Sequence, residues 1–539
     1  MASRRVGICG FAAALALSCT QGDIAAPDVG PAASPSQCGG EVVVSASPRR
    51  VRRLGDRELE AVLSDLVGRP THATTDLIGD PRVDGWETDA RAFVVSGAKL
   101  DGYLASVSKL APVIASEAAC AVAEQPRACA ERLARTIAPR AFGRPLAGEE
   151  IVDLLSVYDA GATESPAAGL DLVVRAILLA PSTLYRTEIG VTEGDATEAK
   201  LTDFEIASQL SFLLSGSRPD EALRAAAAKG ELHDPKSVVE HAKRMLGMPR
   251  ARTQVERLVE GWLELGKLDK TRRSKAFPEL TPEVLAAMAD ELHAFVDHVV
   301  FEQTGTLDEL LRSSTSYPGP ALAPIYGADL LATPRAGSAV ALDPAHRKGV
   351  LSLPAFLTGH ATFDATNPVD RGLFVRNRLL CQEIGAPPLA ALAMPVVAGA
   401  DDGTTTREKF ESHTTDPQCR TCHSRMDPIG FGLEGFDAIG RFRTREHGLP
   451  VDDSGYVTDA DVTGAFHGPA ELADIVARSS DARLCFVAQA VRFADGSSPR
   501  GLCEVRPLAD AFVASGGRIV DLLLAYVARR EFYVRTVTP

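Results

Sequence analysis

From Arg49 onward, apolar residues recur at helical spacing. Leu59, Val62, Leu63, Leu66 and Val67 fall on one face of a 3.6-residue period, behind the polar start Asp56-Arg57-Glu58, and Gly68 ends the run. Pro145 breaks the segment around Ala141 and Phe142; Ile151, Leu154, Leu155 and Tyr158 then restart the period. Residues 173–185 read as a further apolar helix, interrupted by Pro181. Thr202-Asp203-Phe204-Glu205 is a capping box, in which a hydroxyl and a carboxylate satisfy each other's orphan backbone donors, ahead of Ile206, Leu210, Leu213 and Leu214 on one buried face. Its Leu-x-Asp-x-Glu pattern echoes Leu54 to Glu58, as an old repeat or as shared helix-start chemistry. Thr281-Pro282 opens a helix with Leu285, Met288, Leu292, Phe295 and Val299 in a stripe. His293 and His298 beside it read as surface or packing residues, because the glutamate of a helical zinc-protease motif is missing at the required offset.

Between Ser313 and Thr366, Gly and Pro recur and the period weakens, which marks a boundary. Residues 371–381 look helical again, Pro387-Pro388 opens a loop to Thr406, and helices follow around Leu472, Cys485, Leu508 and Ile519. Convincing strands are few. The pattern predicts a mainly α, multi-module helical protein with a few short strands, in which one segment carries a Cys-x-x-Cys-His motif. The expected division is a signal over 1–19, a tether over 20–48, N-terminal helical modules over 49–195 and a second helical module over 196–330. A Cys-x-x-Cys-His module over 331–465 and a C-terminal helical module over 466–539 complete it.

Charge removes one class of partner. A net charge of −14 argues against a surface that tracks phosphates, so nucleic acid is not expected. The N-terminus places Arg4 and Arg5 before an apolar run from Val6 to Leu17 and then Ser18-Cys19, which reads as an export signal too short to span a membrane. Cys19 at its end suggests lipoprotein processing, with membrane attachment only through that lipid and the protein in the periplasm or on the outer membrane. Ala16 stands where such signals usually carry Leu, and simple secretion remains the alternative. Residues 20–48, rich in Pro, Ala, Ser and Gly, read as a flexible tether.

Export changes what the cysteines mean, since an oxidising compartment favours disulfides. Beyond the signal lie Cys38, Cys120, Cys129, Cys381, Cys419, Cys422, Cys485 and Cys503. Proximity suggests Cys120 with Cys129 and Cys485 with Cys503, leaving Cys38 with Cys381 as a long-range tie or two free thiols.

Cys419-Arg420-Thr421-Cys422-His423 has the spacing of covalent haem c attachment: each thiol adds to one vinyl group while the imidazole turns in to the iron. A small disulfide loop, or a zinc site completed by a distant Cys or His, are the competing readings. Downstream, Gly430, Gly432, Gly435 and Gly440 would let the backbone approach a flat ring. Phe431, Phe436 and Phe442 could wall that ring, and Arg441 or Arg443 could pair its propionates. The plainer alternative is a Gly-rich turn followed by a short helix with core aromatics. Gly430 to Gly435 also spells G-x-G-x-x-G, but no strand precedes it, as a dinucleotide site requires. Asp452 and Asp453, with Asp459 and Asp461, lack EF-hand spacing and make a weak calcium candidate. For the sixth iron position, Met426 lies on the side of His423, and Asp427-Pro428 discourages helix there. The distal candidates are His413, His447, His467 and Met394, with His413 preferred and an open site next.

With these residues in hand, the chain resembles a bacterial family of large exported proteins, common in planctomycetes and myxobacteria, built from consecutive domains of unknown function. The similarity rests on Arg52-Arg53-Leu54, Arg140-Ala141-Phe142, Leu184-Tyr185-Arg186, Leu201-Thr202-Asp203, Arg371-Gly372 and Cys419 through Arg443. Two departures are Gly143, inside a pattern that usually reads Arg-Arg-Pro-Leu, and Asp495-Gly496-Ser497 in place of Leu-Gly-Arg. The resemblance implies modules in fixed order, a cytochrome-c-like attachment motif and the company of secreted c-type cytochromes, but no known reaction. Two functions follow as expectations. One is a haem c protein acting in electron transfer or a peroxidase-like oxidation, with a redox protein as partner. The other is a non-redox envelope scaffold or glycan-binding protein in which Cys419, Cys422 and His423 are structural, with a polymer or glycan as ligand.

Overall fold

The computed structural model describes residue 38 and residues 44–537, apart from 91–94, 118–119, 121–123, 272–274, 332–336, 386–402 and 416. The expected export signal with Cys19, most of the expected tether and Met394 lie outside the described residues.

The protein is mainly α, with short two-stranded antiparallel sheets among the described residues. Strand β1 (Arg50–Arg53) enters the fold and pairs with β2 (Tyr185–Glu188), Arg52 opposite Arg186. Between them run α1 (Asp56–Val67), α2 (Gly97–Glu117), α3 (Pro126–Phe142), α4 (Gly148–Ala162) and α5 (Pro166–Leu179). The apolar faces read from the sequence meet here: Leu59, Val62 and Leu63 pack with Leu133, Ile137, Leu154, Val173 and Ile177 in one core. Gly68 closes α1 at φ +78, a left-handed cap that glycine adopts without Cβ strain. The helix expected over 173–185 stops at Leu179, because Pro181 opens a separate short turn and Tyr185 passes into β2.

Past β3 (Glu198–Lys200), the capping box forms as expected at the start of α6 (Asp203–Ser215): Thr202 Oγ1 accepts from the Glu205 amide at 3.3 Å and Glu205 Oε2 accepts from the Thr202 amide at 2.9 Å. A second, larger core then extends from Leu201 to Tyr533 and takes in Trp86 from the N-terminal region. It is built on α7 (Pro282–Asp297), α8 (Pro368–Phe374), α10 (Pro417–Phe431), the hairpin β4 (Ser454–Val457) and β5 (Gly464–His467), α11 (Ser480–Asp495) and α12 (Ile519–Ala528), while α9 (Thr406–Thr415) packs on α10. Strand β6 (Val534–Thr536) returns to pair with β3, so the chain's end closes onto its middle. On α7, His293 pairs with Glu260 at 2.5 Å; just past it, His298 stacks on Tyr317 at 3.9 Å.

Among the described residues, three disulfides brace this arrangement. Cys120 and Cys129 are joined, 5.6 Å apart at Cα. The other expected pairs are not formed: Cys38 bonds to Cys503 and Cys381 to Cys485, with Cα separations of 5.5 and 5.3 Å. The reason is helical rigidity. Cys485 sits mid-way along α11, whose remaining ten residues carry the chain roughly 15 Å away before it can turn toward Cys503. Residues close in sequence are thereby held apart, and two long-range ties form instead.

Candidate functional site

The site is a helical hairpin. Thr405 and Glu408 close a capping box at the start of α9, with Thr405 N–H donating to Glu408 Oε2 at 2.7 Å. Pro417 occupies the first turn of α10, where its missing N–H costs nothing. Helix α10 carries Cys419, Cys422, His423 and Asp427, and α9 lays His413 against it.

Helical spacing puts Cys419, His423 and Asp427, each four residues apart, on one face. Asp427 is wholly buried, and both its oxygens lie 3.0 Å from Nδ1 of His423, which is about one-fifth exposed. A carboxylate can only accept, so Nδ1–H is the donor in this contact, and Nε2 is the ring nitrogen left to face a metal. His413 Nδ1 is 3.9 Å from Asp427 Oδ2, and the two imidazoles are 4.5 Å apart at their centroids, inclined at 57°. Burial, and then repulsion from His423, lower the His413 pKa against the pull of Asp427. Its Nδ1 has no hydrogen-bond partner among the described residues. His413, His423 and Asp427 each offer a ligand atom within 4.8 Å of one another, so they could hold one metal ion. Cys419 and Cys422 are partly exposed thiols.

Several expectations for this region are revised. Helix α10 runs through Pro428 to Phe431 instead of breaking at Asp427, which is what keeps Asp427 on the His423 face. The glycines admit protein in place of a flat ring. A β-carbon on Gly430 would overlap the Pro368 carbonyl, one on Gly372 the Met426 carbonyl, and one on Gly432 the Phe466 ring. Phe436 is fully buried under the Arg347 guanidinium, 4.4 Å from its centroid, and Phe431 lies under Arg407 at 4.8 Å. Phe442, more exposed, stacks on His346 at 4.0 Å. Arg441 pairs with Asp437 and Glu279, and Arg443 with Glu434 and Glu446. These carboxylates hold the arginines assigned to propionates. His447 and His467 are exposed in the following hairpins. Asp461 accepts from Ser479, Ser480 and Asp481 at the start of α11, and Asp452 pairs with Arg407, so the aspartates considered for calcium serve backbone and ion pairs.

The roles of two residues escaped the sequence reading. Asp427 was legible from its i+4 spacing to His423. Arg371 was not: fully buried on α8, it donates to the carbonyls of Leu433, Phe436, Leu357 and Asp437 and fixes the chain beyond α10.

Comparison with known proteins adds order to these regions. Residues 52–115 match the family model PSD3, Protein of unknown function (DUF1587), and 129–188 match PSD5, Protein of unknown function (DUF1595). Residues 201–328 match PSD4, Protein of unknown function (DUF1592), and 347–446 match PSCyt3, Protein of unknown function (DUF1588). The chain is a multi-module protein of domains of unknown function. The PSCyt3 module contains α8, α9, α10 and the whole Cys419-to-Arg443 stretch; the PSD3 and PSD5 modules share the N-terminal core. No curated protein and no solved structure matches the chain.

Proposed function

We propose that this chain is an exported haem c protein that transfers electrons or supports a peroxidase-like oxidation, with a redox protein such as a secreted c-type cytochrome as partner. The observation that carries the reading is the fate of the cysteines. Among the described residues six of eight are locked in disulfides, as expected of an oxidising compartment, while Cys419 and Cys422 stay as thiols beside a histidine. Each thiol would add its S–H across one vinyl double bond, forming a C–S bond and passing the proton to the other vinyl carbon. Bound there, haem would supply a one-electron iron couple. His423 would offer Nε2 to the iron. Asp427, accepting from Nδ1, would orient that imidazole and make it a stronger donor. The residues fit the iron end of the group; Arg441, Arg443 and Phe436 are committed elsewhere and do not fit its rim. The mature chain would be held in the periplasm or on the outer membrane by lipid on Cys19, or else secreted.

A second reading has its own support. The convergence of His413, His423 and Asp427 suits a single transition-metal ion, which would make the hairpin a structural or non-haem centre. Expression in a host with haem c maturation separates the two. Haem-linked absorbance that survives denaturation, and vanishes in Cys419→Ala with Cys422→Ala, supports attachment. A matured sample without it, holding a stoichiometric metal ion that His413→Ala releases, replaces the haem reading. His423→Ala is expected to leave covalent haem in place but to change its ligation.

A further inference from the structure

A groove of about 540 Å³ opens where α3, the turn before β2 and the start of α6 meet, far in sequence from the helical hairpin. Phe142, Tyr185 and Phe204 give it aromatic surface, and Arg144, Ser208 and Arg218 line its polar side. The charges there do not balance. Arg144 is matched by Glu150 in a two-pronged pair at 2.8 Å, and the Glu205 carboxylate is saturated by the amides of Ile189, Gly190 and Thr202. Arg218 is 8% exposed and meets no carboxylate among the described residues. Its hydrogen bonds all leave from Nη2, to the carbonyls of Ser182, Thr183 and Tyr185; Nε is buried without an acceptor, and Nη1 has none either. Behind it Arg186 is buried too, and its nearest carboxylate, Glu188 at 3.9 Å, is already held by Arg50 and Arg535. Both guanidiniums lie over Phe212, at 5.3 and 5.4 Å. Burial, then repulsion from Arg186, push Arg218 down to about 9 against the pull of Glu58, which lies beyond contact distance. Ser208, also 8% exposed, has an orphaned hydroxyl on the same wall.

A buried guanidinium that no carboxylate touches is costly, and a groove that ends on one suits an anion. We infer that this groove binds a carboxylated saccharide, its carboxylate on Arg218, its hydroxyls on Ser208 and neighbouring groups, and its ring faces against the aromatic side chains. The volume is that of a small-ligand site. A monoanionic carboxylate fits better than phosphate, because the fixed Glu205 carboxylate on the same wall repels a dianion more strongly. The inference is independent of haem.

The test is calorimetric titration of the full mature chain with trigalacturonate, with a neutral trisaccharide and with inorganic phosphate. Trigalacturonate should bind and the neutral sugar should bind at least about 10-fold more weakly; Arg218→Met should lose a similar factor, the range of one charge-assisted hydrogen bond. Arg218 also ties down three carbonyls, so a surface pair keeps the test decisive should that variant misfold. Val51, 56% exposed on the groove rim, becomes Val51→Glu, expected to weaken the acidic sugar, or Val51→Lys, expected to tighten it. Equal affinity for acidic and neutral sugars, no binding of either, or phosphate binding more tightly than the uronate would overturn the assignment.

Discussion

The two halves of the Cys419–Arg443 stretch use one continuous sequence for opposite purposes. Up to His423, helix α10 is partly open to solvent and presents thiols and an imidazole. From Met426 to Ile439 the chain is almost wholly buried, and Gly430 and Gly432, which had looked like part of a ring pocket, let it pack closely on Pro368 of α8 and Phe466 of β5. Asp427 is the hinge between the halves: its backbone belongs to the packed end, and its carboxylate reaches the chemical one. The contrast teaches that a motif's glycines report close approach but not what approaches. Backbone oxygens of Pro368 and Met426 need the same absence of Cβ that a porphyrin would.

The largest expected effect lies in the packed half. Arg371→Ala would strip donors from four buried carbonyls and leave Glu434 with less counter-charge, costing about 3–5 kcal/mol of stability. Urea unfolding measures this, and a loss below about 1 kcal/mol would show that the segment after α10 does not depend on Arg371. Next, Gly430→Ala forces a methyl into the Pro368 carbonyl and is expected to cost about 1–3 kcal/mol by overpacking, read the same way.

A smaller effect comes with acid. Asp370, on α8, is held well below the usual carboxylate range by His360 and then Lys267, against the opposing pull of burial, which is the largest influence on it. Its folded pKa is depressed, so its stabilisation is present above about pH 4, the unfolded value, and is lost as pH falls toward the folded one. Because the side chain is partly exposed, the screened contribution is about 1 kcal/mol. Asp370→Asn should flatten the acid limb of a stability–pH curve; an unchanged limb would assign that limb to other carboxylates. The smallest effect is expected in the open half. In a host without haem maturation, Cys419→Ser with Cys422→Ser should shift stability by less than about 0.5 kcal/mol, since neither thiol is buried. A loss as large as that of Gly430→Ala would erase the division between the halves.

Periodicity alone was enough for the helical character, the Thr202 cap, the Gly68 stop and the N-terminal core face, because each depends on residues within about two turns of one another. Local spacing likewise marked Cys419, Cys422 and His423, and contained, unread, the link from His423 to Asp427. Tertiary structure decided the rest. The partners of Cys485 and Cys38, the burial of Arg371, the use of Arg441 and Arg443 as ion pairs, the approach of His413 to His423 and the seating of Arg218 on the carbonyls before β2 all join elements well separated along the chain. Which helix face meets which is set by packing and by the rigidity of the helices between, so a cysteine or an arginine shows in sequence that it will seek a partner, and only the folded chain decides which one it reaches.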